Sequence, residues 1–326
     1  MNIIHNISYT CNNNCMFCGI GRNREKTPDL SKYDIEKKLR SAREKGANEL
    51  IFSGGETTVR PDIIEIMSLS KSLGYEHIEI TTNGRMFSYR KFAQKMTEAG
   101  LGYVRFSIHG HNSETHDKLT RAPGSFEQAI QGIKNLMEIN KKREKQGNPP
   151  VQLEITSCIN KINYKHVDEM VKFFNNFNLT HLDTNYIIPW SAAEIYFHQL
   201  VPKYSEAVPY IKRAIDKNSE RKVKITKVAN IPVCFMVRYE KYKSELHEKY
   251  IEIINPTGKP FSYSGHRSKQ KVKPKKCKKC RYVNVCEGIY PQYSKRYGFN
   301  EIEPVKGELI TKENFKEFIE KVDRTQ

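Results

Sequence analysis

The chain has no apolar run approaching the roughly 18 residues that a membrane-spanning helix requires. Its opening residues, MNIIHNISYT, carry neither the basic flank nor the apolar stretch of a secretory leader. Both absences predict a soluble, cytoplasmic protein. Acidic residues are also in short supply: 37 Asp and Glu stand against 55 Lys and Arg, a formal net charge of +18 at pH 7. An excess of that size favours acidic partners such as nucleotides, acidic peptides or nucleic acid. The basic residues are spread along the whole length, however, and no RNA-binding signature accompanies them. A Lys-rich solvated surface accounts for the charge, and nucleic acid is not the expected partner. A disulfide framework is missing too. Of eight cysteines, seven sit in clusters or loops that suit metal ligation. The setting this predicts is reducing and low in oxygen.

What is present begins with Cys11, Cys15 and Cys18 in the run CNNNCMFC, directly after an alternating apolar stretch, Ile3 to Tyr9. The spacing is C-x3-C-x2-C. Structural zinc takes four closed ligands, with a second Cys or His pair close by, and none follows here. Three thiolates on one loop match three corners of a [4Fe–4S] cluster, which takes four. One iron is then left open, and an open position is where chemistry occurs.

Beyond the loop the pattern is strand, then helix, repeated. Ile3–Tyr9, Glu49–Ser53, His77–Thr82, Tyr103–Ile108, Leu153–Ile159, His181–Ile188 and Val223–Val228 read as strands. Between them Ser31–Lys45 reads as a helix, with Ser31 and Asp34 as a capping pair and Gly46 as its stop. Pro61 opens the next and Gly74 closes it. Ser88–Ala99, a helix capped by Ser125 with Gln128 completing the box, Asn163–Phe177 and Tyr204–Asp216 follow. Residues 139–150 and 215–222 read as solvated connections. Such alternation predicts parallel βα units: an α/β fold, a partial (β/α)6-type TIM barrel. Residues 231–300 lack periodicity and hold four cysteines, which predicts a small metal-bound domain. A closing helix is expected over 313–322, with Phe315, Phe318 and Ile319 on its apolar face.

The second cysteine group is Cys277-x2-Cys280-x5-Cys286, with Cys234 upstream in IPVCF. Four thiolates suit either a closed zinc site or an auxiliary [4Fe–4S] cluster, and spacing does not decide between them.

The cysteine loop is followed in order by Ser53-Gly54-Gly55-Glu56-Thr57, Thr82-Asn83-Gly84 and Ser107-Ile108-His109-Gly110, each at the end of an expected strand. With CxxxCxxC, these resemble the motifs of the radical S-adenosylmethionine (SAM) superfamily over roughly residues 1–230. The C-terminal cysteines resemble the SPASM and Twitch extensions of that superfamily. A full SPASM domain carries seven or more cysteines, so four suggest the shorter Twitch type with one auxiliary cluster. The resemblance implies a partial barrel over 1–230 and an auxiliary-cluster domain over 231–326.

It also implies a chemistry. SAM chelates the open iron, one electron cleaves its sulfur–carbon bond, and a 5′-deoxyadenosyl radical takes hydrogen from a substrate carbon. Glu56 would accept from the methionine ammonium, with Gly54 and Gly55 allowing close approach; the plainer reading of Glu56 is a helix-start charge ahead of Pro61. Ser107 would contact the SAM carboxylate or ribose, Thr82 and Asn83 the ribose or methionine, His109 the adenosine or substrate, and Phe17 the adenine. Arg121, in KLTRAPGSF, would pair with the SAM carboxylate. Cys158 has no partner in the pattern and falls at a strand end; it is either a lumen hydrogen-atom donor or a small core residue. Trp190 would line the substrate side. Cys234, in a loop outside the barrel pattern, would close the auxiliary cluster as an electron relay. Oxidation, crosslinking or epimerisation of a peptide is expected, served by a reducing partner such as flavodoxin or ferredoxin. A sugar or cofactor precursor is the alternative substrate. A non-catalytic iron–sulfur or zinc protein binding nucleic acid through Lys276-Cys277-Lys278-Lys279-Cys280 would leave the three barrel motifs unexplained.

Overall fold

Ser31 begins the first crossover as its spacing predicts. Its side chain accepts from the Asp34 N–H at 3.1 Å and donates back to the Asp34 carboxylate. The helix it starts, α1 (Lys32–Glu44), buries Ile35, Leu39 and Ala42 on one face, and Gly46 ends it with a positive φ. The structure, a computed structural model, describes residues 2–21, 26–247 and 250–324. In it the strands β1 (Asn2–Ser8), β2 (Glu49–Gly54), β3 (His77–Thr82), β4 (Tyr103–Ser107), β5 (Gln152–Ile159), β6 (Leu182–Tyr186) and β7 (Ile225–Ala229) lie in chain order, each parallel to the next. Helices α2 (Ile63–Ser72), α3 (Arg90–Glu98), α4 (Ser113–Thr120), α5 (Ser125–Lys145), α6 (Val167–Phe174), α7 (Ala192–Ile195), α8 (Phe197–Leu200) and α9 (Tyr204–Lys217) lie in the crossovers between these strands. This is the expected partial (β/α) barrel, in which the working end is the carboxyl ends of the strands.

Strand alternation sorts the side chains. In β5, Leu153, Ile155, Ser157 and Ile159 are buried under the helices, and Glu154, Thr156 and Cys158 share the other face. Below the strand ends that other face carries charge instead of packed aliphatics. Arg105 lies 3.4 Å from Glu79 and 3.1 Å from Glu154, and Lys227 lies 3.7 Å from Asp183.

Two local expectations fail for stated reasons. Ser125 does not cap α5. Gly124 does, at φ +78, and the capping acceptor is the Asp117 carboxylate of α4, which takes the N–H groups of Gly124 and Phe126 and the Ser125 hydroxyl. The stretch 139–145 is not a connection but the end of α5, because Ile139 and Asn140 are buried and Asn140 holds Val151 by two hydrogen bonds of 2.8 Å.

The sheet also continues past residue 230. β8 (Ile251–Ile254) pairs parallel to β1, and β9 (Phe261–Ser262) pairs antiparallel to β8. Helices α10 (Ser244–His247), α11 (Tyr263–Lys269), α12 (Pro291–Tyr297) and α13 (Phe315–Arg324) complete the chain. Ile254, Ile289, Tyr293 and Ile302 belong to the same core as the barrel, and Val233, Cys280, Tyr282, Val285, Ile310 and Phe315 form a second, smaller one. α12 docks on α9 through tyrosines: the Tyr293 hydroxyl accepts from the Tyr204 N–H at 3.0 Å, and their rings stack 4.5 Å apart. Among the described residues no helix is long and apolar enough to cross a membrane.

Candidate active site

The loop bearing Cys11, Cys15 and Cys18 leaves the carboxyl end of β1 and is braced from three sides by backbone. Ser8 and Thr10 carbonyls accept from the N–H groups of Gly55 and Glu56 at 2.8 and 2.7 Å, which extends the β1–β2 pairing into the loop. Asn14 and Met16 donate to the terminal carbonyls of α4, Thr120 and Leu119, at 2.9 Å each. Ala192, at the start of α7, donates to Cys18 at 3.3 Å.

Side chains add a fourth brace that the sequence reading missed. Asn83 donates to Asn12 at 2.6 Å, and Arg85 donates to Asn13 at 2.9 Å, to the Asn12 carbonyl and to Gln128. The three asparagines between Cys11 and Cys15, and the arginine directly after Thr82-Asn83-Gly84, were the available signal.

Gly54 and Gly55 do allow close approach, but of the chain to itself. A Cβ on Gly54 would stand 2.4 Å from the Ser8 carbonyl oxygen, and one on Gly55 would stand 2.2 Å from that of Thr10. Their smallness lets β2 and the cysteine loop touch.

The motif residues meet in one pocket of about 830 Å³. Its walls hold the three cysteines with Phe17, Ser53, Gly54, Gly55, Glu56, Thr82, Asn83, Ser107 and His109. Glu56 is fully buried. Its carboxylate accepts from the Thr58 N–H and hydroxyl, the Thr82 hydroxyl at 2.7 Å and the Asn83 N–H at 2.6 Å. Burial pushes its pKa up while those four donors pull the other way. Glu56 also starts the short turn at Thr57 by capping Thr58, so its plainer role is real alongside its place in the pocket wall.

His109 has a fixed orientation. Its Nδ1 accepts from the Cys158 N–H at 3.1 Å, its ring meets Phe17 edge-on at 4.7 Å, and its backbone N–H donates to Nδ1 of His116 at 3.0 Å. An Nδ1 that accepts leaves the proton on Nε2. Burial, then the neighbouring His116, hold His109 neutral, well below the ordinary imidazole range. His116 and Asn163, which grips the His109 carbonyl at 2.9 Å, were not singled out from the sequence.

Two expected residues stand apart from this pocket's walls. Arg121 terminates α4 in the left-handed conformation, φ 53, with an exposed side chain that donates to the Tyr196 hydroxyl at 3.0 Å. Cys158 is on the expected face of β5, and burial pushes its thiol up to about 12, so it stays protonated at neutral pH. Trp190 packs on Gly19 and, at 6.5 Å, on Tyr290.

A second pocket, about 390 Å³, is lined by Cys234, Cys277, Cys280 and Cys286 together with Val272, Lys273, Tyr282 and Gly288. Cys234 follows β7, and the other three come from one later loop, so the fold unites what the sequence separates. A Cβ on Gly288 would stand 2.3 Å from the Val272 carbonyl, which explains glycine at that position. Burial first, then the other three thiols, push Cys234 up to about 12; burial and its neighbours also raise Cys277. Such thiols ionise once a cation is present to hold the charge. Four thiols around one cavity suit either a closed four-cysteine zinc site or an iron–sulfur group, each metal taking thiolates.

A family model described as the radical SAM superfamily matches residues 5–174. A protein of Saccharolobus solfataricus described as a probable GTP 3′,8-cyclase is 26% identical over 309 residues, covering 93% of this chain and 89% of that one. One of the same description from Methanothermobacter thermautotrophicus is 31% identical over 173 residues, 53% of each chain. Among solved structures, Streptococcus suis SuiB bound to S-adenosylmethionine aligns with TM-score 0.65 at 17% identity, over 94% of this chain and 76% of that one. The protein anSMEcpe, with bound AdoMet and Cp18Cys peptide, aligns with TM-score 0.63 at 16% identity, over 99% and 98%.

Proposed function

The chain belongs to the radical SAM superfamily, and from that premise we propose an enzyme that abstracts hydrogen from a substrate carbon and completes an oxidation with the help of a second cluster. One observation carries the reading. Cys11, Cys15 and Cys18 share a single pocket with Glu56, Thr82, Asn83, Ser107 and His109 at the carboxyl ends of β1 to β4. The three thiols would hold the SAM-binding [4Fe–4S] cluster, and Cys234, Cys277, Cys280 and Cys286 the auxiliary one, in a Twitch-like arrangement. The bound cluster and SAM would supply an electron and a 5′-deoxyadenosyl radical.

The chain's own residues bind and orient. Thr82 and Asn83 fix the Glu56 carboxylate, whose Oε2 takes only the Asn83 N–H and would accept from the SAM ammonium as well. Neutral His109 presents an Nε2–H donor, and the Phe17 ring closes the wall beside it. Ser107, whose hydroxyl has no hydrogen bond among the described residues, offers it to the carboxylate or ribose. Cys158, kept protonated by burial, is the candidate to return a hydrogen atom where the product requires one.

The test is oxygen-free reconstitution with iron and sulfide counting. About eight irons per chain are expected for two clusters, with release of 5′-deoxyadenosine on reduction in the presence of SAM. Cys15→Ala should abolish that release and leave about four irons. Release undiminished by Cys15→Ala would overturn the assignment.

A second reading has its own support. The Saccharolobus relative spans nearly the whole chain and is described as acting on GTP, and a charge of +18 suits an anionic substrate. On this reading the substrate is a purine nucleoside triphosphate. SAM-dependent consumption of GTP in place of a peptide would select it.

A further inference from the structure

The outer wall of the second thiol pocket carries a concentration of charge that nothing above uses. From Lys271 to Cys280 the chain reads KVKPKKCKKC. Lys271 turns its side chain inward onto Glu287, at 2.8 Å. The other five lysines of this stretch lie toward solvent. Lys273, Lys275, Lys278 and Lys279 are exposed, and Lys276 is half-buried beside Glu303, 3.1 Å away. Lys273 also donates to the Val283 carbonyl at 2.7 Å.

Local geometry sets this arrangement. Lys275–Lys279 form a short 3₁₀ turn introduced by Pro274. The Cys277 N–H donates to the Pro274 carbonyl and the Cys280 N–H to the Cys277 carbonyl, both at 3.0 Å. Such a turn repeats every three residues, so side chains at i and i+3 lie over one another. Cys277 and Cys280 therefore share the face turned to the pocket. Lys275 falls with Lys278, and Lys276 with Lys279, on the two remaining faces. Val272, 37% exposed, and Pro274 add an apolar patch beside the lysines, and both line the thiol pocket as well. A body resting on this turn is separated from the thiols by one layer of chain. An apolar patch with a charged rim suits a small, transient electron-transfer contact, a class that buries less than about 1,200 Å² and is steered by charge. A face for single-stranded nucleic acid adds rings on which bases stack, and residues 271–280 hold no aromatic.

We propose that this lysine-rimmed wall docks an acidic one-electron carrier protein, and that electrons enter the molecule there, through the second thiol pocket. This rests on the auxiliary-cluster reading above. With a flavin carrier the step is one electron and no bond: the anionic flavin hydroquinone becomes the neutral semiquinone, and the iron–sulfur group held by the thiolates takes up that electron. The lysines hold the carrier's anionic surface against the turn that bears Cys277 and Cys280.

The experiment uses the reconstituted full chain, with iron counted in every sample, and a purified acidic flavodoxin as the probe. Two quantities are read: the affinity for oxidised flavodoxin by calorimetry, and the rate at which flavodoxin hydroquinone produces the paramagnetic signal of the second group. Replacing Lys275, Lys278 and Lys279 together by Gln should weaken binding and slow that reduction by about tenfold or more. Release of 5′-deoxyadenosine driven by dithionite should stay at the wild-type level. Replacing Lys141, Lys142 and Lys145 by Gln removes the same charge from the exposed end of α5 and should change neither quantity. Raising the salt from about 0.1 to about 1 M shortens the screening distance from about 10 to about 3 Å, and should erase the difference between the first variant and the wild type. Absent wild-type binding, or equal losses in the two variants, would overturn the inference. So would a fall in dithionite-driven release in the first variant, which would assign the lysines to substrate. Tighter binding of a mixed-sequence oligonucleotide than of flavodoxin, lost in the same variant, would assign the face to nucleic acid and overturn it too. Each of these outcomes leaves the auxiliary-cluster reading standing in protein that keeps about eight irons. A wild-type chain that takes up only about four irons would overturn that reading and, with it, the entry port.

Discussion

At the scale of the residue, the glycines before Glu56 have a cause within the chain itself. Gly54 and Gly55 were expected to leave room for the cofactor, and they leave room for the backbone of residues 8–10. The consequence is specific. A methyl at residue 55 would fall 2.2 Å from the Thr10 oxygen and 2.6 Å from two Tyr9 atoms, all of them backbone. No side chain can rotate away, so the cysteine loop must lift off β2 and surrender the bonds at Gly55 and Glu56. Crowding of this kind costs about 1–3 kcal/mol, and the loop, not the sheet, absorbs it. Gly55→Ala should therefore fold, with an unchanged far-ultraviolet circular dichroism spectrum, and lose about four irons per chain. Full iron content in that variant would show that the loop has slack which these contacts deny.

At the scale of the element, one loop depends on four others. The cysteine loop hangs between β2, the turn after β3, the end of α4 and the start of α7, and Arg85 is its side-chain anchor. That guanidinium spans Asn13, the Asn12 carbonyl and Gln128. Hydrogen bonds to a charged group contribute about 1.5–3 kcal/mol each. Arg85→Met should shorten the lifetime of the first group's iron against a chelator by at least tenfold. The second group should be untouched, since its thiols come from the turn after β7 and the later loop. Equal lability of both groups would remove Arg85 from this role.

These braces also mark how far the sequence could be read. Strand order, the four motifs at strand ends and the grouping of seven cysteines into two sets were legible, because each rests on local periodicity or spacing. Arg85, the asparagines 12 to 14, His116 and Asn163 were not, since their partners lie on other elements and no local pattern links them. Ser125 failed as a cap because the helix already begins at it: the Gln128 N–H that its hydroxyl would have taken donates to the Gly124 carbonyl at 3.1 Å. β8 was invisible for a related reason: four residues, Ile251–Ile254, become a strand only by finding the open edge of β1.

At the scale of the whole molecule, that pairing makes β1 an interior strand with neighbours on both sides. His5 sits in its middle, fully buried, with neither ring nitrogen hydrogen-bonded. Burial, then the charges of Lys38 and Arg60, drive its pKa down to about 3. His116 is held at about 4 and His109 is depressed as well, burial being the first cause in each. The folded chain therefore keeps these imidazoles neutral where the unfolded chain protonates them, starting near pH 6.5. Stability is complete above that value and falls as the pH drops toward 3, because only the unfolded state takes up the protons. For His5 alone the loss between pH 6.5 and pH 5 is about 2 kcal/mol. His5→Leu fills the same apolar place without a titrating group. Denaturant unfolding of the reconstituted protein at pH 7.5 and pH 5 should show the gap between the two pH values narrowing by about that amount in the variant. An unchanged gap would mean that β1 opens to solvent without the sheet unfolding. That outcome would contradict the continuous nine-stranded sheet in which β8 covers the β1 edge.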